Sequence, residues 1–459
     1  MALEIFNSLS RTTEKFEPLD KAEVRLYTCG PTVYNYPHIG NYRAYIFGDI
    51  LKRYLKYSGY NVRHVMNITD IDDKTIRDSI LAGKTLKEFT EFYTEGFYKD
   101  RDALNIIPAD IYTKATDYVK EMLELTEKLI EKGYAYITED GSVYFSIEKD
   151  GEYGKLSHFK LSDLKENAKG RMKKDEYDKD NAQDFALWKA WDEADGDVFW
   201  IPSELLNRDT NITKGRPGWH IECSAMSMEQ FGETFDLHTG GVDNIFPHHE
   251  NEIAQSECAT GKQFVKYWMH NEHLMVDGKK MAKSAGNFYT LRDLIERDID
   301  PIAFRYWLYT GHYRTKVNFT MDAILGSATA LKKLYEIYLG LGTENGMANK
   351  EYIKKIKDSM DDDLNTPQAI ATLWELTKDT TISNHDKKAT LLDLDQIFGF
   401  GFATVVKDEI PVEVSQLAGE REFARTNKDW AKSDELRDKM KDLGYEVKDT
   451  DTGPKISKI

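Results

Sequence analysis

The chain has 459 residues, 31% charged and 41% apolar, with a formal net charge of −17. This is the composition of a globular protein with room for about two to four domains. The acidic balance excludes broad electrostatic attraction to nucleic acid. Three cysteines exclude a disulfide framework. No run approaches the ~18 apolar residues of a membrane helix, and Met1-Ala2-Leu3-Glu4-Ile5-Phe6 lacks a signal-peptide pattern, so a reducing, cytoplasmic protein without membrane contact is expected.

In chain order, Val24 and Leu26 open a short strand ending near Cys29. Ala44, Phe47, Ile50, Leu51, Tyr54 and Leu55 then recur at helical spacing and stop before Gly59. Val62, His64, Val65, Met66 and Ile68 predict a second strand, and Thr69-Asp70-Ile71-Asp72-Asp73 a helix start at its end. Strand, helix and strand in this order predict half of a parallel α/β sheet. Residues 85–204 break the alternation. They hold a helix over 118–132, a hairpin turning at Asp140-Gly141 and a charged stretch over 165–184 that reads as exposed. The sheet resumes with Phe235-Asp236-Leu237-His238-Thr239 and Gly240-Gly241. Beyond residue 320 helical stripes dominate, such as Ala328, Leu331, Leu334, Ile337 and Tyr338, and a strand closes the chain at Tyr445-Glu446-Val447. The expected architecture is a Rossmann-like parallel-sheet domain (1–110 and 205–265) with an inserted domain (111–204). A linking segment (266–320), a helical bundle (321–405) and a small mixed α/β domain (406–459) follow.

Cysteine, histidine and glutamate recur in three separated segments. Cys29 lies in Tyr27-Thr28-Cys29-Gly30, Cys223 ends Gly218-Trp219-His220-Ile221-Glu222-Cys223, and His248 and Glu252 lie four apart in Pro247-His248-His249-Glu250-Asn251-Glu252. On a helix His248 and Glu252 share one face. Two thiolates, an imidazole and a carboxylate suit zinc better than magnesium or calcium. Spacing alone leaves open a second reading, two buried thiols beside a polar helix start. Cys258, among Ile253, Ala254 and Ala259, reads as a core thiol.

His38 follows Cys29 by nine residues, in Pro37-His38-Ile39-Gly40-Asn41, at a loop-to-helix junction. Unpaired N–H groups and the positive dipole end make such a junction a phosphate site. Gly40 lets a nucleotide approach the backbone, and His38 can donate to a phosphoryl oxygen. Downstream, Asp277-Gly278 predicts a tight turn before Lys279-Lys280-Met281-Ala282-Lys283-Ser284, a basic loop suited to closing on a triphosphate. Neither a Walker loop nor a Gly-x-Gly-x-x-Gly pattern is present. Two basic tracks stand out, Lys165, Lys169, Arg171, Lys173 and Lys174, and then Arg421, Arg425, Lys428, Lys432, Arg437, Lys439 and Lys441. Each reads equally well as a solvated helix face.

Taken together these segments resemble class I aminoacyl-tRNA synthetases, and within them the cysteinyl-tRNA synthetases over the whole length. Besides the segments quoted, Asn67-Ile68-Thr69-Asp70-Ile71-Asp72-Asp73-Lys74, Gly215-Arg216-Pro217 and Met360-Asp361-Asp362-Asp363-Leu364-Asn365-Thr366-Pro367 carry the likeness. The class signature His-Ile-Gly-His has Asn41 at its last place, and Lys-Met-Ser-Lys-Ser has Ala282 for its first serine.

The resemblance implies activation of L-cysteine by Mg·ATP and transfer to tRNA-Cys. His38, Lys280 and Lys283 would be the catalytic residues, with Gly40, Asn41 and Asp243 also binding ATP. Thr69, Trp219 and His238 would line the amino-acid pocket. Cys29, Cys223, His248 and Glu252 would hold one Zn²⁺ that selects the substrate thiol. Residues 266–320 would contact the tRNA stem, and the terminal segment, with Trp430, the anticodon; its Gly453-Pro454-Lys455-Ile456 lacks the tryptophan usual at that place. A monomer is expected. Two rival readings are a ligase joining cysteine to an amino sugar and a nonenzymatic zinc-dependent RNA-binding module. Residues 321–459 weigh against the first, and His38, Lys280 and Lys283 against the second.

Overall fold

A computed structural model of the protein describes residues 2–159, 184–281, 286–344, 346–406, 411–450 and 453–458. The chain divides into two compact units, Met1–Ala403 and Thr404–Ile459.

After an antiparallel ribbon, β1 (Glu4–Asn7) and β2 (Thr12–Lys15), the first unit is built on five strands. They are β3 (Val24–Thr28), β4 (Val62–Ile68), β5 (Ile111–Lys114), β10 (Phe235–Gly241) and β11 (Val265–Asn271). All pair in parallel, in the order β11-β10-β3-β4-β5. From β3 the chain builds outward to β4 and β5, then returns to the other side of β3 with β10 and β11. That reversal opens a crevice beyond the carboxyl ends of β3 and β10, where ligands bind in sheets of this kind.

Between β3 and β4 runs α1 (Ile39–Tyr57). Its predicted apolar stripe understates its burial: from Tyr42 to Leu55 only Ala44 is not fully buried. The polar side of this helix is enclosed as well, and its charges are partnered there. Asp49 pairs with Arg53 and Arg305, Lys52 with Asp110, and the Tyr54 hydroxyl donates to Asp361. The helix start expected within Thr69–Asp73 is α2 (Asp73–Leu81), which Asp72 caps.

The inserted region has an antiparallel sheet in the order β6-β7-β8-β9: β6 (Ala135–Ile137), β7 (Val143–Phe145), β8 (Phe185–Ala190) and β9 (Gly215–Pro217). It differs from the expected 111–204 at both ends, because residues 111–114 pair with β4 and residues 215–217 pair with β8. Segments this short carry no alternation that names their sheet; only the partner strand does. Of the charged stretch 165–184, only Asp184 lies within the described residues. It is buried and accepts from the Tyr136 hydroxyl and the Ile147 amide.

Beyond β11, β12 (Leu274–Val276) pairs with β13 (Lys279–Lys280) and β14 (Val317–Phe319). Asp277 and Gly278 both take positive φ, the turn that joins two strands so tightly. Helices Met321–Gly340, Lys350–Asp361, Thr366–Lys378 and Asn384–Phe398 complete the unit. Among the described residues no helix is long and apolar enough to cross a membrane.

In the second unit, helices Val412–Thr426 and Trp430–Asp442 pack with a hairpin of β15 (Tyr445–Thr450) and β16 (Gly453–Lys458). Only the first of those strands was expected. Arg421 is buried and doubly bonded to Asp449, and Lys432 and Lys439 pair with Glu435. Much of the basic track therefore answers acids of its own unit, while Trp430 and Phe423 stand exposed.

Candidate functional site

A cleft of about 370 Å³ opens beyond the carboxyl ends of β3 and β10. Cys29, His38, Gly40, Asn41, Thr69, Trp219, Asp243, His248 and Lys280 all line it. Nine of the thirteen site residues expected from the sequence thus line one cleft. Cys223, His238 and Glu252 are buried and do not line it. The thirteenth, Lys283, is in 282–285, outside the described residues.

The metal-type cluster assembles as expected. Ligand atoms of Cys29, Cys223, His248 and Glu252 all lie within 4.8 Å of one another, and all four residues are buried. The i, i+4 argument for His248 and Glu252 holds in distance, with His248 Nε2 3.1 Å from Glu252 Oε1. In local structure His248 sits in a wide helical turn, Ile245–His249, that runs directly into the regular helix Glu250–Thr260, with non-helical backbone only at Phe246. His248 is aimed from outside the cluster. Trp219 stacks on its ring, centroids 4.2 Å apart, and its Nδ1 meets His220 Nδ1 at 3.0 Å. Burial, then His248, keeps the His220 proton affinity far below its ordinary value. Such fixing of the far ring nitrogen is how proteins orient a histidine ligand.

The same cluster holds a second set, Cys29, His238, His249 and Glu252. His249 Nε2 is 3.2 Å from Cys29 Sγ, and His238 Nε2 is 3.0 Å from Glu252 Oε2. His238, expected on the pocket wall, therefore sits beneath it as a partner of Glu252. Contact with Cys223, opposed by burial and aided by His248, brings the Cys29 thiol down to about 6. The contact with Cys29, together with burial, pushes Cys223 well above its usual value. Glu252 Oε1 is fully buried and makes no well-formed hydrogen bond, with His248 Nε2 only 3.1 Å away; two such ligand atoms side by side are costly unless a cation meets them. Two thiols, an imidazole and an unsatisfied carboxylate oxygen fit a thiophilic divalent cation.

At the mouth, His38 is the N-cap of α1. Its Nδ1 accepts the Asn41 amide at 3.1 Å, and Asn41 Oδ1 accepts the His38 amide at 3.0 Å. Asparagine at this place closes a capping box. Because Nδ1 is the acceptor, the neutral ring carries its proton on Nε2. A side chain on Gly40 would bring Cβ to 2.9 Å from the His38 ring, so glycine is needed there for contact, not for φ. Gly30 is tighter still: its Cβ would fall 1.8 Å from Asn67 O, and its amide donates to Asn67 Oδ1.

Across the cleft, Thr69 donates to Glu222 Oε2 at 2.7 Å. Burial raises the Glu222 carboxyl far above the ordinary range against the opposing pull of Thr69. Sequence reasoning passed over Glu222, His220, His249 and Asn67. All lie inside the quoted motifs, but motif membership does not say which side chain faces inward.

The comparisons with known proteins agree along the whole chain. Residues 15–329 match the class I tRNA synthetase (C) catalytic domain, 355–400 the DALR domain, and 407–454 the cysteinyl-tRNA ligase anticodon binding domain. The cysteine–tRNA ligase of Chlamydia felis is 45% identical over 477 residues, covering 100% of this chain and 98% of that one. That of Brachyspira hyodysenteriae is 44% identical over 473 residues, covering 98% of each. A methionyl-tRNA synthetase of Mycobacterium tuberculosis with methionyl-adenylate has a TM-score of 0.57 at 14% identity, covering 83% of this chain and 92% of that one, a likeness of fold. The chain is an enzyme of the class I synthetases and belongs to the cysteine–tRNA ligase family.

Proposed function

We propose that this cleft activates L-cysteine with Mg·ATP and passes it to the 3′ end of tRNA-Cys, with the four-residue cluster holding zinc. The observation that carries the proposal is that the cluster and the capped end of α1 open onto one cleft. Zinc on Cys29, Cys223, His248 and Glu252 would supply affinity for a thiolate sulfur, which distinguishes cysteine from serine where shape cannot.

The substrate carboxylate attacks the α-phosphorus, pyrophosphate leaves, and the terminal ribose hydroxyl of the tRNA then displaces AMP from the acyl carbon. No side chain becomes a covalent nucleophile; positioning and charge stabilisation do the work. His38 Nε2–H and the positive dipole end of α1 face the α-phosphate, and Gly40 gives the nucleotide a flat backbone to lie against. Lys280 on β13 neutralises the departing pyrophosphate. Thr69 and Trp219 would wall the amino-acid side, and Asp243 would take the ribose or the substrate ammonium, a reading supported by all three lining the cleft. Trp430 offers a stacking face to anticodon bases.

Cysteine-dependent ATP–pyrophosphate exchange tests the first step. Exchange with cysteine and none with serine is expected, and its absence in zinc-loaded protein would overturn the proposal. Charging of tRNA-Cys tests the second step and separates this activity from transfer to an amino sugar.

A further inference from the structure

Arg43, five residues after His38 in α1, is 4% exposed. Its partners are main-chain oxygens. The guanidinium donates to His273 O at 2.6 Å, to Tyr313 O at 3.1 Å and to Thr315 O. Tyr313 O also accepts the Glu272 amide at 2.8 Å. One cation therefore ties α1 to both the chain leaving β11 and the segment entering β14.

One turn along α1, Phe47 stacks on the Tyr313 ring, with centroids 4.4 Å apart and planes 16° apart. The Tyr313 hydroxyl donates to Asp363 Oδ1 at 2.5 Å, Arg314 Nε to Asp363 Oδ2 at 2.6 Å, and the Phe6 amide to Asp363 Oδ1 at 2.8 Å. Asp363 and Leu364 have φ of +51° and +54°. Two successive non-glycine residues in this region persist only where their surroundings over-determine them. The Met360–Pro367 motif, which the proposed chemistry leaves unused, thus presents one strained carboxylate to residues 313 and 314. Residues 317–319 of β14 pair with 274–276 of β12, and β12 with β13, where Lys280 lies opposite Met275.

We infer that Arg43 and Asp363 are positioning residues for adenylate formation, clamping residues 312–315 so that β14 and β12 hold Lys280 at a set distance from the His38 end of α1. This rests on reading Lys280 and His38 as the phosphate-facing groups. A displacement of about 1 Å at a reacting centre costs roughly 100-fold.

The test uses the full-length, zinc-loaded enzyme carrying Arg43→Lys or Asp363→Asn. A lysine cannot span three carbonyls, and the amide loses the charge-assisted bond to Arg314. ATP–pyrophosphate exchange is expected to slow by roughly 10–100-fold in kcat with the KM for cysteine within about twofold. Hydrogen exchange is expected to quicken over 272–280 and to stay unchanged over 235–241. A kcat within twofold of the parent overturns the inference. So does uniform loosening with both KM values rising, which is what a merely structural residue gives. Should Arg43→Lys fail to fold, Phe47→Leu, which removes only the ring stack, is expected to show the same split to a smaller degree, and its absence overturns the inference. Lys280→Ala, measured in parallel, separates the two ideas. A full-rate Lys280→Ala enzyme overturns the reading of the loop, whereas a slow one beside a full-rate Arg43→Lys overturns the clamp alone.

Discussion

Glu252 and His238 meet at 3.0 Å with both side chains fully buried, and the carboxylate oxygen that His238 leaves aside, Oε1, lies 3.1 Å from His248 Nε2. One residue is thereby divided between two tasks. Oε2 is anchored to β10, and Oε1 is left for a cation.

Cys223→Ser removes one of two soft donors from that cluster. Purified protein is expected to lose most of its zinc, with affinity lowered more than about 100-fold, the upper range for merely outer partners. The KM for cysteine is expected to rise with it. Unchanged metal stoichiometry by elemental analysis would count against the site.

His238→Phe keeps a ring against Trp268, on which His238 stacks at 4.5 Å, but deletes the donor to Glu252. Zinc affinity, measured by competition with a chromophoric chelator, is expected to fall roughly 10–100-fold. Parent-like affinity would return His238 to the pocket-wall role expected from the sequence.

Gly40→Ala places a methyl 2.9 Å from the His38 ring. His38 must swing away and the capping box opens, at a cost of about 1 kcal/mol in stability. A fall in kcat for exchange of roughly 10²-fold is expected from misplacing the donor, with zinc content unchanged. Full activity would exclude His38 from the phosphate site.

Asp49 is buried with Arg305 and Arg53. Burial alone would raise its carboxyl pKa, but the two guanidiniums hold it below the ordinary value. A depressed folded-state pKa contributes stability above the unfolded value, near 3.9, and loses it as pH falls through the folded one. Asp49→Ala strands two buried cations and is expected to cost about 3–5 kcal/mol at pH 7. The gap between parent and variant in denaturant unfolding should narrow below about pH 4. A gap that is constant with pH, or below 1 kcal/mol, would show that these ion pairs are not what anchors the buried polar side of α1.

By itself the sequence determined the periodic elements and named the candidate site residues. Strand β4, the helix start after Thr69 and the turn at Asp277-Gly278 are local decisions of side-chain period and φ. The four cluster residues were legible as a candidate set through the family resemblance, since their spacing alone left a pair of buried thiols equally open. Tertiary structure alone decided which sheet received 111–114 and 215–217, since short strands are assigned by distant partners. It also enclosed the polar side of α1, which the apolar stripe leaves unassigned, making Arg43, Asp49 and Lys52 buried ties. And it set His238 behind Glu252 rather than on the cleft wall. A motif names the residues that carry the chemistry, but their facing depends on contacts made hundreds of residues away.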